Sequence, residues 1–351
     1  MHTLDTKQQK IITLFLEKGE MQSSDVHEAL LGFGETISLV TVKRALSELE
    51  STGLLLTTGS GRSTSYKISS AGRLFSNIDP KQYCSIDPDK RHGQKQFNFD
   101  LFQGIPTEIM SSEELKNLSE ATVKYNEKTK DISPTIQKKE LERLVIELSW
   151  KSSKIEGNTY TLLDTEKLIL ENKKAEGHSQ EEAQMILNHK DAFNYIHQNS
   201  TQFKSVTRKN IEEIHSIIVK DLDVGLGLRS KIVGVTGSIY RPIDNTHQII
   251  DAIEKLHEAV LRVSTPYEKA LITLLGISYI QPFEDGNKRT ARLMTNAILF
   301  AHHCAPLSYR SINESDYREA MLVFYELNSL IPMKDIFIDQ YLFATENYTV
   351  K

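Results

Sequence analysis

The residues best suited to chemistry lie in one uninterrupted run, Gln281-Pro282-Phe283-Glu284-Asp285-Gly286-Asn287-Lys288-Arg289-Thr290-Ala291-Arg292. It follows an apolar helical stretch, residues 270–280, and opens another, residues 293–301, so its pattern is helix–loop–helix. Gly286 allows close backbone approach, and Asn287 stands near the first turn of the second helix. Unpaired N–H groups and the positive dipole end at a helix N-terminus favour an anion. Arg289 and Arg292, three apart, share a face beside that terminus. Asp285 offers a hard oxygen ligand to a divalent cation bridging phosphates. Together these residues describe a cradle for nucleotide phosphates, with Gly286, Asn287, Lys288, Arg289 and Arg292 as binding candidates and Asp285 as metal candidate.

The run resembles the signature of the Fic family (Fido fold), His-Pro-Phe-x-Asp/Glu-Gly-Asn-Gly/Lys-Arg-x-x-Arg. Pro282, Phe283, Asp285, Gly286, Asn287, Lys288, Arg289 and Arg292 all match. The resemblance implies ATP and Mg²⁺ as ligands and transfer of AMP to a Ser, Thr or Tyr hydroxyl of a target protein. Position 281 departs from the pattern: the family's histidine is replaced by Gln281. In the family that histidine accepts the hydroxyl proton during attack on the α-phosphate, a role suited to imidazole. An amide has no proton equilibrium near neutral pH and orients a hydroxyl without deprotonating it. General-base catalysis contributes about 10²–10⁴-fold, while phosphoryl-type transfer otherwise rests on positioning and charge stabilisation. Nucleotide binding is therefore expected to survive, with transfer weak, altered or absent.

A second resemblance lies upstream. Ser152-Ser153-Lys154-Ile155-Glu156-Gly157 fits the family's inhibitory pattern Ser/Thr-x-x-x-Glu-Gly/Asn, with Ser152, Glu156 and Gly157 in register. The resemblance implies a Glu156–Arg292 pair that occupies the arginine needed by the γ-phosphate. Read from residues alone, Gly157 is a helix stop. Residues 225–249 interrupt the helical pattern, and residues 231–235 and 238–240 alternate around Thr236-Gly237 like a short hairpin. By resemblance this is the flap that aligns a target segment as an added strand, with Ile239 and Tyr240 clamping its side chain.

A chain of 351 residues is long enough for two or three domains. The formal charge of −5 gives no global attraction to nucleic acid or membrane. Cys84 and Cys304 lack metal-ligand spacing and are expected as reduced thiols. No charged-then-apolar leader opens the chain and no uncharged apolar run reaches membrane-spanning length, so a soluble cytoplasmic protein without membrane partners is expected.

The organisation reads as a winged helix-turn-helix over 1–75, a connector over 76–106, an N-terminal helical part with the inhibitory helix over 107–200, and a Fic core with flap and signature loop over 201–351. The fold class is mainly α: a multi-helix core with a short β-hairpin flap, plus a small α+β winged-helix domain. In that first domain, helices over 6–17, 23–31 and 38–51 precede strands 54–58 and 63–68 joined by Gly59-Ser60-Gly61. The third helix would offer Thr41, Lys43 and Arg44 to a DNA major groove, with Arg62 at the wing tip. Against this, residues 1–75 hold eight Lys/Arg and eight Asp/Glu, a neutral balance unusual for a DNA binder. Protein docking or homodimerisation stays open beside DNA binding. In the connector, His92 with Asp87 and Asp89 reads as a solvated turn rather than a metal site, while His189, His215, Tyr317 and Tyr325 read as core residues. Two functional classes follow: an auto-inhibited nucleotidyl transferase with an altered centre, and a non-catalytic nucleotide sensor acting through the winged helix.

Overall fold

Residues 266–280 have no polar stripe, and a helix apolar on all sides must be enclosed. In the computed structural model, which describes residues 4–350 (for Arg62 the backbone but not the side chain), this segment is buried from Tyr267 to Ile280 except for the half-buried Lys269. The described chain divides into two compact units, one comprising residues up to Pro106, Gly234–Arg241 and Glu319–Met333, the other Thr107–Val233, Pro242–Arg318 and the residues from Lys334 onward.

The first unit begins with α1 (Thr6–Lys18), β1 (Met21–Gln22), α2 (Ser23–Gly32), α3 (Leu39–Ser51), β2 (Leu55–Thr58) and β3 (Ser65–Ile68), followed by α4 (Ser70–Leu74) and α5 (Pro80–Cys84). Asp5 and Gln8 form a capping box on α1, and Ser38 caps α3. The sheet order is β1-β3-β2, both pairs antiparallel, with Leu55 opposite Ile68 and Thr58 opposite Ser65. Ile12 and Phe15 of α1, Val26 of α2, and Val42 and Leu46 of α3 are fully buried. β1 is a strand that sequence periodicity does not announce, because two residues are too few to show alternation.

The connector is held more tightly than its turn-rich composition suggests. Buried Glu326 accepts from Tyr83 Oη at 2.7 Å, pairs with Arg91 Nη1 at 3.2 Å and accepts from Ser238 Oγ at 2.7 Å. Arg91 Nη2 also donates to Gly237 O at 2.7 Å. These contacts account for a departure from expectation at residues 231–240. No strand is assigned between 225 and 249; there is a turn with Ser238 N donating to Val235 O at 3.1 Å, and an isolated parallel bridge of Arg241 to Gln96. Tyr240, expected to face a target, is buried and stacks on Tyr325 at 5.9 Å, while Ile239 is half-buried. Burial of the Tyr240 ring and the bonds to Glu326 fix this segment as a packed loop.

The second unit contains α6 (Ser112–Lys130), α7 (Pro134–Ile155), α8 (Leu162–Glu171), α9 (Gln180–Gln198), α10 (Arg208–Ile218), α11 (Thr246–Arg262), α12 (Pro266–Ile280) and α13 (Asn287–Ala301). Two further helices, α14 (Glu314–Leu327) and α15 (Ile331–Asn347), are shared between the units. α12 is capped by Thr265 and Glu268 with Pro266 at its first position. α13 is buried despite Arg289, Thr290, Arg292, Thr295 and Asn296, so its polar groups need internal partners. Asn296 finds them on the Leu307 backbone, donating at 3.0 Å and accepting at 2.7 Å. No helix among the described residues is long and apolar enough to cross a membrane.

α11 and α12 approach closely at Gly276, where an added Cβ would stand 2.3 Å from Leu256 Cδ1. Gly276→Ala is expected to destabilise the protein by about 1–3 kcal/mol through overpacking, despite alanine's better helix propensity. Denaturant unfolding checks this, and an unchanged or raised midpoint contradicts it.

Candidate nucleotide site

α12 stops at Gln281, whose left-handed backbone (φ 51°) turns the chain sharply. Gln281 is buried, and its Nε2 donates to Ser278 O at 2.6 Å, so the side-chain amide is tied back to its own helix. Arg229 organises the same turn: its N donates to Pro282 O at 3.0 Å, its Nε to Gln281 O at 2.6 Å and its Nη1 to Lys231 O at 2.8 Å. Asn287 closes the loop from the other side, with Phe283 N donating to its Oδ1 and its Nδ2 donating to Phe283 O, both at 2.8 Å. Phe283 stacks on His215 at 3.6 Å with ring planes 7° apart, and His215 Nε2 lies 3.0 Å from Asp285 O. Burial pushes the His215 imidazole down to about 4, so at neutral pH it is uncharged and donates through Nε2.

Gly286, at φ 78°, begins α13 without any side-chain cap. First-turn N–H groups of an uncapped helix are of the kind that suits an anion. A Cβ at Gly286 would approach Ile218 Cγ2 at 3.3 Å, so glycine suits both the backbone angle and the space. Arg289 is buried, and its Nη2 meets Asp285 Oδ2 at 2.8 Å, while its Nη1 has no hydrogen-bond partner among the described residues. Asp285 is 66% exposed and is available as a single oxygen ligand. Among the described residues no group of three His, Cys, Asp or Glu stands together as a metal site, so other ligands of a cation here would come from phosphate and water.

Arg292 is fully buried and held by the end of α7. Its Nε donates to Ser152 Oγ and its Nη2 to Ser152 O, both at 2.8 Å, while its Nη1 lies 2.8 Å from Glu156 Oε1. Lys288 Nζ stands 3.6 Å from the other Glu156 oxygen, and the Arg292 guanidinium lies over the Tyr317 ring at 5.7 Å. Burial pushes the Glu156 carboxyl up, but the charges of Arg292 and Lys288 outweigh it and hold the group below its ordinary range. Burial likewise opposes the charge on Arg292, and Glu156 together with Tyr317 more than offsets it. His189 is fully buried with neither ring nitrogen hydrogen-bonded among the described residues, and burial together with Arg292 and Arg289 keeps it neutral.

The structure thus brings Ser152, Glu156, Lys288 and Arg292 into one cluster and Asp285 with Arg289 into another, on the same helix end. Ile239 and Tyr240 belong to the other compact unit, and Thr41, Lys43 and Arg44 lie on α3. Lys43 and Arg44 are exposed, with Arg44 Nε 3.0 Å from Glu48 Oε1; the Arg62 side chain lies outside the described residues. Arg229 and His215 shape the loop but were not legible as functional. Arg229 sits in an irregular segment, and His215 is a polar interruption of the apolar face made by Ile211, Ile214 and Ile218.

Residues 205–299 match the model of the Fic/DOC family. That span takes in the whole run from Gln281 to Arg292. Over 175 residues the chain is 31% identical to a protein adenylyltransferase Fic of Nematostella vectensis, covering 48% of this chain and 41% of that protein. A protein of the same name from Drosophila melanogaster is 27% identical over 205 residues, covering 55% of this chain and 41% of its own length. The chain therefore spans about two-fifths of the length of these curated relatives. Among solved structures, a fragment of Fic-1 from C. elegans superposes with a TM-score of 0.58 at 18% identity, covering 68% of this chain and 72% of that one. A Fic domain containing signaling protein from Bacteroides thetaiotaomicron gives 0.55 at 20% identity, covering 66% and 94%. These likenesses show the fold.

The lowered Glu156 value fixes a pH dependence. A carboxylate held below its ordinary range stabilises the folded state above that range and loses the contribution as pH falls through the lowered value. Wild-type protein is expected to exceed Glu156→Gln in stability from neutral pH down to about the ordinary value of 4.5, and to lose the advantage below it. Denaturant titrations at pH 7 and pH 3 check this; an equal advantage at both contradicts it.

Proposed function

We propose that this protein binds ATP with Mg²⁺ at the start of α13 and is a Fic-type adenylyltransferase held in check by Glu156, with its transfer step limited by Gln281. The Glu156–Arg292 ion pair carries this reading. A guanidinium bonded to Ser152 and paired with Glu156 has no free edge for a γ-phosphate, so ATP must displace the glutamate or bind in a skewed pose. Lys288, Arg289 and the first-turn N–H groups supply the remaining phosphate contacts, and Asp285 fits a role as oxygen ligand to Mg²⁺. Mg²⁺ bound there would neutralise phosphate charge.

Transfer requires a target hydroxyl to attack the α-phosphate, to lose its proton, and to displace pyrophosphate. At the position where the family carries its base stands an amide that already donates to Ser278 O. It accepts no proton at neutral pH. Slow transfer follows from positioning and charge stabilisation without a base. The target protein supplies a Ser, Thr or Tyr hydroxyl. Supporting this reading are the adenylyltransferase names of the relatives and the retention of the acidic and basic signature residues.

A second reading, a nucleotide sensor coupled to DNA, is favoured by the exposed Lys43 and Arg44 on α3 beside the β2–β3 wing. On that reading Lys43→Ala with Arg44→Ala abolishes a salt-sensitive shift on promoter DNA, and intact protein giving no shift at low salt contradicts it.

Labelled ATP with Mg²⁺ tests the transferase reading. Glu156→Gly is expected to tighten ATP about ten- to a hundred-fold over wild type, the equivalent of one charge-assisted contact, with ADP little changed. Labelling is expected to stay low until Gln281→His is added. Rapid labelling by Glu156→Gly alone contradicts the assigned effect of Gln281. A double variant that binds ATP well and labels nothing, with candidate targets present, contradicts the transferase reading.

A further inference from the structure

An inhibitory glutamate at a helix end works only if that end is held. The last four carbonyls of a helix lack intrahelical partners, and in α7 these belong to Ser152, Ser153, Lys154 and Ile155. Ser153 O accepts from Glu156 N at 3.0 Å and Asn158 N at 3.1 Å, and Lys154 O accepts from Gly157 N at 3.0 Å. The two that remain are each taken by an arginine from a different helix. Ser152 O accepts from Arg292 of α13, and Ile155 O accepts from Arg318 of α14 through Nε at 2.8 Å and through Nη2. Four residues before Arg318, on the same helix face, Glu314 Oε1 meets Lys151 Nζ at 2.5 Å and Lys154 Nζ at 3.7 Å. Lys151 is buried, so its charge depends on this partner.

We infer that Arg318 and Glu314 are positioning residues that hold the inhibitory turn, acting on the nucleotide site only through Glu156. The inference rests on the proposed competition between Glu156 and a γ-phosphate for Arg292. Arg292 grips α7 through the same guanidinium that ATP would claim, so its hold on Ser152 weakens as nucleotide binds. The hold of Arg318 and Glu314 does not weaken. They are what returns Glu156 to Arg292, and they determine how much ATP is needed to displace it. Arg318 bonds the carbonyl of the peptide whose N–H belongs to Glu156, so losing this bond frees the backbone at the residue that carries the inhibitory carboxylate. Arg318 is itself exposed and contributes no apolar core, so its replacement leaves the packing intact.

The test is calorimetric ATP titration of the full chain with Mg²⁺, comparing wild type, Arg318→Met, Arg318→Lys, Glu156→Gly and Arg318→Met with Glu156→Gly. Thermal unfolding of each confirms that it is folded. Arg318→Met is expected to tighten ATP by roughly three- to ten-fold, the effect of one partly exposed charged hydrogen bond, with ADP unchanged. Arg318→Lys, which keeps a donor and a charge, is expected to fall between wild type and Arg318→Met. In the Glu156→Gly background Arg318→Met is expected to change nothing further, since the group it positions is gone. A gain in affinity is not what general destabilisation produces. ATP affinity unmoved by Arg318→Met while Glu156→Gly tightens it overturns the inference and leaves the proposed function standing. Equal gains in both backgrounds also overturn it, because Arg318 then acts by a route independent of Glu156. Failure of Glu156→Gly itself to tighten ATP overturns the competition for Arg292, and this inference with it.

Discussion

A fully buried guanidinium cannot be left unpaired, and the candidate nucleotide site is arranged around that constraint. Arg292 brings a charge into the centre of the second unit, where an uncompensated ion costs several kcal/mol even after relaxation, roughly the stability of a small domain. Three of its nitrogens meet that need on the end of α7, two on Ser152 and one on Glu156. On the proposed reading a phosphate would compete for these nitrogens, binding would exchange one anion for another at a fixed cation, and the better-positioned partner would set the resting state. The carboxylate is intramolecular and carried on a capped helix end, which gives it a high effective concentration without any external ligand.

The loop before α13 is held with comparable care. Asn287 bridges both backbone groups of Phe283, Phe283 lies flat on His215, and His215 reaches the Asp285 carbonyl. Arg229 fixes the exit from α12 at Gln281 and Pro282. Such contacts hold the first turn of α13 in place before any ligand arrives, as preorganised anion recognition requires. Gln281 is the exception to this arrangement. Its backbone occupies the left-handed turn, while its side-chain amide donates to Ser278 O and has no proton equilibrium near neutral pH.

Much of this was legible in the sequence because it depends on local spacing. The all-apolar run of α12 spans about three turns of one helix, and the Gly-Asn start of α13, the three-residue step from Arg289 to Arg292 and the Ser152–Glu156 step each fall within about one turn. The helices α1 to α3 and the β2–β3 hairpin were readable for the same reason, apart from the two-residue β1. What was not legible depends on distant partners. The Tyr240 segment alternates like a strand, but Glu326 and Tyr325, some ninety positions later, draw it into a packed loop. Arg229, His215 and Arg318 carry no local signal either, because each matters through a backbone carbonyl that a distant part of the chain brings to it.

The central claim is that Glu156 and the γ-phosphate compete for Arg292, and the Nε–H resonance of Arg292 reports this directly. In arginine-labelled protein, assigned with Arg292→Lys, ATP with Mg²⁺ is expected to shift that resonance strongly in Glu156→Gly, weakly in wild type, and ADP is expected to leave it in place in both. A shift of equal size for ATP and ADP, or saturation by ATP in Glu156→Gly with the resonance unmoved, would contradict the claim.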